Sequence, residues 1–176
     1  MKKLFIMAIL VVAGSTSMNA QGLDFGVKAG ANFAKLDGDD ISGDNLTSFH
    51  VGALLEVNVF ENFSVQPEVL YSSQGTKIED EDIKLDYLSV PVLAKFYLIS
   101  DKLSLEAGPQ FSFLVNDNIE EQFEAETFDF AVVGGLAFDV TSNIFVQARY
   151  VTGLTDTSKD AKITNQVIQL SVGLKF

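Results

Sequence analysis

The 176-residue chain has no cysteine, one histidine and three prolines. Without cysteine there is no disulfide framework, no thiol nucleophile, no Cys-ligated zinc and no lipid-anchored Cys. With His50 alone, a two-His metal or catalytic constellation is excluded. Bases are scarce as well. Twelve Lys and Arg stand against 24 Asp and Glu, for a formal charge of −12 and a pI near 4.3. Phosphate binding needs Lys and Arg, so the balance argues against a nucleic-acid partner. Nor does any stretch approach the 18 apolar residues of a membrane helix. What the chain does have is 47% hydrophobic content in a length suited to one domain, far too apolar for disorder.

The N-terminus reads as an address. Lys2 and Lys3 precede an apolar run of ten residues, Leu4 to Ala13. Small and polar residues follow, and Met18-Asn19-Ala20 before Gln21 fits a cleavage site after Ala20. Residues 1–20 are therefore expected to be a cleaved secretory signal peptide, with residues 21–176 as the mature domain. Its removal leaves 10 bases against 24 acids, a charge of −14. The exported chain is then either a soluble protein or a membrane β-barrel.

From Leu23 onward the apolar residues alternate with polar ones in eight segments, the period of half-buried strands. The segments are Leu23–Phe33, Phe49–Val59, Phe63–Tyr71, Leu88–Leu98, Leu103–Phe113, Phe128–Val140, Ile144–Thr152 and Ile168–Phe176. Their apolar faces hold 46 positions and no charge, where the overall composition would place about nine. The opposite faces hold Asp24, Lys28, Glu56, Glu68, Lys95, Glu106, Asp129, Asp139, Arg149 and Lys175. Asn32, His50, Asn58, Gln66, Gln110, Gln147 and Gln169 lie there too. Long polar connections (Lys35–Ser48, Ser72–Tyr87, Leu114–Thr127, Gly153–Val167) alternate with short ones (Glu61-Asn62, Ile99–Lys102, Thr141–Asn143). That rhythm predicts an all-β, eight-stranded antiparallel up-and-down barrel, with loops outside the cell and turns and termini in the periplasm.

A soluble barrel of this size would put its apolar face inward, around a ligand. Three features predict the inverse. Gly26, Gly30, Gly52, Gly108, Gly135 and Gly173 sit on the polar face, where a cramped interior needs small residues. Phe and Tyr gather near both ends of the apolar faces, like interfacial girdles. A cation facing mid-bilayer costs about 2–4 kcal/mol, which explains the missing charges. Pro67, Pro91 and Pro109 fall inside strands, where each removes a ladder donor, so bulges or twisted ladders are expected there.

Gly26-Val27-Lys28-Ala29-Gly30-Ala31-Asn32-Phe33 resembles the first strand of the small outer-membrane β-barrel family of Bacteroidota-type bacteria, also called the porin or PorT family. Pro67-Glu68-Val69-Leu70-Tyr71 with Gln74-Gly75 resembles its third strand, and Leu85-Asp86-Tyr87-Leu88-Ser89-Val90-Pro91-Val92-Leu93-Ala94-Lys95 its fourth. Gly108-Pro109 matches the fifth, Arg149-Tyr150 with Gly153-Leu154 the seventh, and Gly173-Leu174-Lys175-Phe176 the last. The resemblance implies a multi-pass barrel in the outer membrane of a Gram-negative cell, exported by the general secretory pathway. It implies no particular activity. The terminal Phe176 resembles the signal read by barrel-insertion machinery.

Six acids and four bases on the inner face should pair into a plug, since unpaired buried charge is costly. The acidic loop residues are Asp37, Asp39, Asp40 and Asp44, then Glu79, Asp80, Glu81 and Asp82, then Asp117, Glu120, Glu121, Glu124 and Glu126. With Asp156, Asp160, Lys35, Lys77, Lys84, Lys159 and Lys162 they sum to −10. Such loops either repel neighbours as a solvated surface or bind divalent cations and, through them, lipopolysaccharide. The expected partners are thus outer-membrane lipids and lipopolysaccharide, and the expected state is a monomer. No cofactor, metal or catalytic residue is assigned. The expected function is a structural or surface-interacting barrel. Alternatives are a narrow transport channel or gated ion path, a secretion-system accessory barrel, a soluble exported binding barrel, and a lipid-modifying enzyme that would use His50 with Ser48 or Ser72.

Overall fold

A computed structural model of the chain describes residues 22–38, 41–42, 46–78, 81–99, 102–117, 128–154 and 164–176. The expected signal segment lies outside the described residues, as do Asp39, Asp40, Asp44, Glu79, Asp80, Glu120, Glu121, Glu124, Glu126, Asp156 and Asp160. The strands are β1 (Leu23–Gly38), β2 (Ile41–Ser42), β3 (Leu46–Phe60), β4 (Phe63–Ile78), β5 (Glu81–Ile99), β6 (Leu103–Asp117), β7 (Phe128–Asp139), β8 (Ile144–Gly153) and β9 (Thr164–Lys175). β2 is a two-residue return that pairs with the end of β1. The other eight pair antiparallel in sequence order, and β9 closes on β1 from Gly26↔Lys175 to Asp37↔Thr164. Closure leaves no barrel edge in hydrocarbon, where each orphaned N–H or C=O costs several kcal/mol.

The eight expected strands are all present, and on the loop side they run longer than the alternation indicated. β1 continues to Gly38 rather than Phe33, and β4 to Ile78 rather than Tyr71. β5 begins at Glu81 rather than Leu88, and β9 at Thr164 rather than Ile168. The expected loop Ser72–Tyr87 is mostly a ladder, paired from Ser72↔Tyr87 to Ile78↔Glu81. Ser72–Lys77 carries no apolar residue and the apolar parity of β5 switches at Tyr87, beside a register shift, so the alternation breaks while backbone pairing continues.

The faces are inverted as expected. Leu55, Val92, Leu105, Leu136, Leu170 and Val172 point outward, whereas Lys28, Glu56, Glu68, Lys95, Glu106 and Arg149 are buried inside. Outward aromatics cluster at both rims. Phe49 meets Tyr71 and Phe111 meets Phe130 toward the loops, while Phe25 stacks on Phe176 at the turn side. The inner glycines let walls and side chains approach. A Cβ on Gly173 would stand 2.1 Å from the Phe145 ring, and one on Gly52 would stand 2.1 Å from the Val69 carbonyl oxygen. Gly134, on the outer face, meets nothing within 4 Å.

The prolines act differently from the expected bulges. Pairing lapses between Leu54↔Glu68 and Val57↔Val65, beside Pro67, and resumes in the same register. The same holds beside Pro91, between Pro67↔Val92 and Leu70↔Ser89, and beside Pro109, between Pro91↔Gln110 and Ala94↔Ala107. A missing N–H removes a bond without adding a residue, so the ladder has a gap but no slip. Register shifts lie elsewhere, at Asn58/Phe60, Asp86/Tyr87 and Tyr97/Ile99.

Candidate functional site

The lumen is the chemically distinctive region, and it is stacked in layers. The middle layer centres on Arg149 of β8. Its Nη1 and Nη2 donate to Glu68 Oε2 and Oε1 at 2.8 and 2.7 Å, a bidentate clasp onto β4. Nε of Arg149 donates to Glu106 Oε2 of β6 at 2.7 Å. Lys28 of β1 pairs with Glu68 at 2.7 Å and donates to Gln147 Oε1 at 3.2 Å. Gln147 Nε2 in turn donates to Glu106 Oε1 at 2.9 Å. Two cations thus meet two carboxylates, and all four side chains are at most 1% exposed.

The layer nearer the turns centres on Glu56 of β3. Its Oε2 accepts from Lys95 Nζ at 3.0 Å and lies 3.3 Å from Lys175 Nζ, while its Oε1 accepts from the Tyr97 hydroxyl. Lys175 also pairs with Asp139 at 2.8 Å. Gln66 joins the two layers, accepting from Lys95 at 3.3 Å and donating to Glu68 Oε1 at 2.6 Å.

The layer nearer the loops is neutral. Asn32 Oδ1 accepts from Gln169 Nε2 at 3.1 Å and lies 2.7 Å from His50 Nδ1. A carbonyl oxygen can only accept, so Nδ1 carries the imidazole proton and Nε2 accepts from Ser171 Oγ at 2.8 Å. Asn32 Nδ2 donates to Ser72 Oγ and to the Ser73 carbonyl, each at 3.0 Å. His50 is therefore held by Asn32 and Ser171, not by the Ser48 or Ser72 considered as nucleophiles. It is fully buried, away from any acyl chain.

The ten charged residues assigned to the inner face do lie on it, and eight of them join these pairs. Asp24 accepts from Asn58 at 3.1 Å, and Asp129 lies near the loop-side rim. Sequence reasoning passed over the apolar part of the filling. Leu54, Leu70, Leu93, Val133, Phe145, Val151 and Val167 are buried inside as well. Val133↔Val151 and Val151↔Val167 make one continuous wall across β7, β8 and β9. Strand parity was the available signal for them. Among the described residues no group of three or more His, Asp or Glu is placed to hold a metal ion.

A closed wall, greasy outside and charge-filled inside, defines an integral β-barrel of the outer membrane. The chain matches the outer membrane protein beta-barrel domain over residues 18–159 and belongs to that family. Its fold is similar to that of Neisserial surface protein A, with a TM-score of 0.63, 18% identity, and coverage of 86% of this chain and 97% of that one. Ail, the attachment invasion locus protein of Yersinia pestis, gives a TM-score of 0.60 at 18% identity, covering 88% and 99%. A further structure holds Ail in complex with the heparin analogue sucrose octasulfate. The N-terminal β-barrel domain of Pseudomonas aeruginosa OprF gives 0.51 at 15%, covering 86% and 97%. At these identities the likeness is one of fold. No curated protein matches the chain.

Proposed function

We propose that this barrel works through the surfaces it presents, as a structural and surface-interacting protein, and not through its lumen. One observation carries the reading. Each barrel strand contributes an inner side chain at most 3% exposed: Lys28, Leu54, Glu68, Leu93, Glu106, Val133, Arg149 and Gln169. These positions are closed from either mouth, so a solute would have to break the Arg149 clasp to pass.

The strands carried beyond the girdles, above all β4 and β5, support display on the outer side. With Asp86 included the loop residues sum to −11, which suits contact with lipopolysaccharide through divalent cations. A sulfated polyanion such as the one crystallised with Ail would be repelled. The strand motifs support a place among the Bacteroidota-type PorT barrels, with export on the 1–20 signal and insertion guided by Phe176. The reading assigns no catalytic residue, because His50 is buried with both ring nitrogens engaged, by Asn32 and Ser171. It expects a monomer.

Single-channel recording in planar bilayers tests the closed lumen. No stable open level is expected in the wild type, and a reproducible open level would overturn the reading.

A further inference from the structure

The turn-side mouth opens into a cavity of about 860 Å³ whose lining includes Asp24, Tyr97, Asp139 and Lys175, with Phe60 and Lys102 at its rim. The charges beneath it are unevenly matched. Lys95 is neutralised by Glu56, and Lys175 by Glu56 and Asp139. Asp24 instead accepts from the neutral Asn58 amide, and among the described residues no cation lies within ion-pair distance of it. The cavity therefore holds a carboxylate with unused lone pairs, in a lining that also includes Tyr97 and Phe60. A carboxylate in that position favours a charge-assisted bond to an ammonium, and aromatic faces suit both a cation and its alkyl stem. The volume lies within the range of small-ligand sites.

We propose that this turn-side vestibule binds a primary alkyl-ammonium group seated on Asp24. Turns face the periplasm in outer-membrane barrels, so the amine comes from that compartment. It is either a free diamine or a lysine-type side chain on a periplasmic peptide. The proposal adds a second, inward-facing surface to the outward one, and it stands independently of the loops. Asp24, Glu61 and Asp139 against Lys102 and Lys175 leave the lining one net negative charge, so one ammonium per barrel is expected.

The test uses protein purified from membranes in its processed form and placed in lipid nanodiscs. It is titrated with cadaverine, with a blocked lysine-containing peptide and with pentanediol as the uncharged control, and followed by calorimetry and by amide shifts near Tyr97 and Asp139. Saturable binding of an amine that weakens about tenfold in Asp24→Asn supports the proposal. Binding by the peptide alone identifies a protein-borne amine, binding by cadaverine alone identifies the free one, and binding by both supports an ammonium site that takes either. Asn58→Asp, which places a second carboxylate beside Asp24, should tighten binding, a direction that mere loosening of the fold would not give. The proposal is overturned by absence of saturable binding, by equal binding of pentanediol, or by an Asp24→Asn variant that binds like wild type.

Discussion

The middle and turn-side layers of the lumen are built from the same residue types and meet different fates. In the middle, Arg149, Lys28, Glu68 and Glu106 are sealed, with side chains at most 1% exposed. One layer down, Lys175 and Asp139 keep 12% and 13% of their side-chain surface and open onto the vestibule. Glu56 and Lys95 in that lower layer are as sealed as the middle one, at 1% each, so access divides the lower layer between its centre and its rim. A sealed charge can only hold the wall together, whereas an accessible one can exchange partners with solvent or a ligand. The middle layer ties β1, β4, β6 and β8 across the barrel, and the lower one leaves a surface on which binding is physically possible.

The sharpest way to break this contrast is Arg149→Met. It leaves Glu68 and Glu106 with Lys28 as their one cation and with only the neutral amides of Gln66 and Gln147 beside it. Removing one partner of a buried ion pair costs about 3–5 kcal/mol. The expected outcome is a large drop in the temperature at which the folded band shifts on a heat-modifiability gel, with partial recovery on adding Glu106→Gln. If Arg149→Met lowers that temperature no more than Lys175→Met does, the sealed layer is not the stronger one.

Lys95→Met should fall between the extremes. Lys95 is as buried as the middle layer, yet Glu56 keeps Lys175 and Tyr97 after its loss. About 2 kcal/mol is expected, read from urea-induced unfolding in the same lipid. Lys175→Met should cost about 1 kcal/mol or less, because water screens a partly exposed pair. Raising the salt to about 1 M should shrink the Lys175→Met difference and leave the Arg149→Met difference nearly intact.

The layer contrast also marks how far the sequence could be followed. Which residues face inward was legible, because lipid admits no charge and strand parity then places Glu68, Arg149 and their neighbours on the other face. Who pairs with whom was not. Arg149 and Glu68 are 81 positions apart, and no local pattern encodes that clasp. The ends of β4 and β5 were hidden for a different reason. Ser72–Lys77 is polar on both faces, and in Glu81–Tyr87 the apolar Ile83, Leu85 and Tyr87 fall on the parity opposite to Leu88, Val90 and Val92, so both stretches read as loop. Leu54, Leu70 and Leu93 were obscured because an apolar residue inside an inverted barrel carries no sequence signal beyond its parity. The three prolines were visible as lost ladder donors, and of the two consequences expected, bulges or twisted ladders, no register slip occurs beside them. Each deletes a donor, whereas a bulge would need an extra residue.

The smallest expected effect tests the sealed side of the contrast at its finest grain. Ser104, on the inner face of β6, is fully buried, and its hydroxyl finds no hydrogen-bond partner among the described residues. A satisfied buried hydroxyl is worth about 1 kcal/mol, whereas an orphaned one is a cost that alanine removes. Ser104→Ala should therefore leave stability unchanged or raise it by up to about 1 kcal/mol, measured beside Lys175→Met on the same gel. A loss of stability would mean that water reaches this depth and bonds to the hydroxyl. The boundary between the sealed and open layers would then lie closer to Glu106 than the side-chain exposures place it.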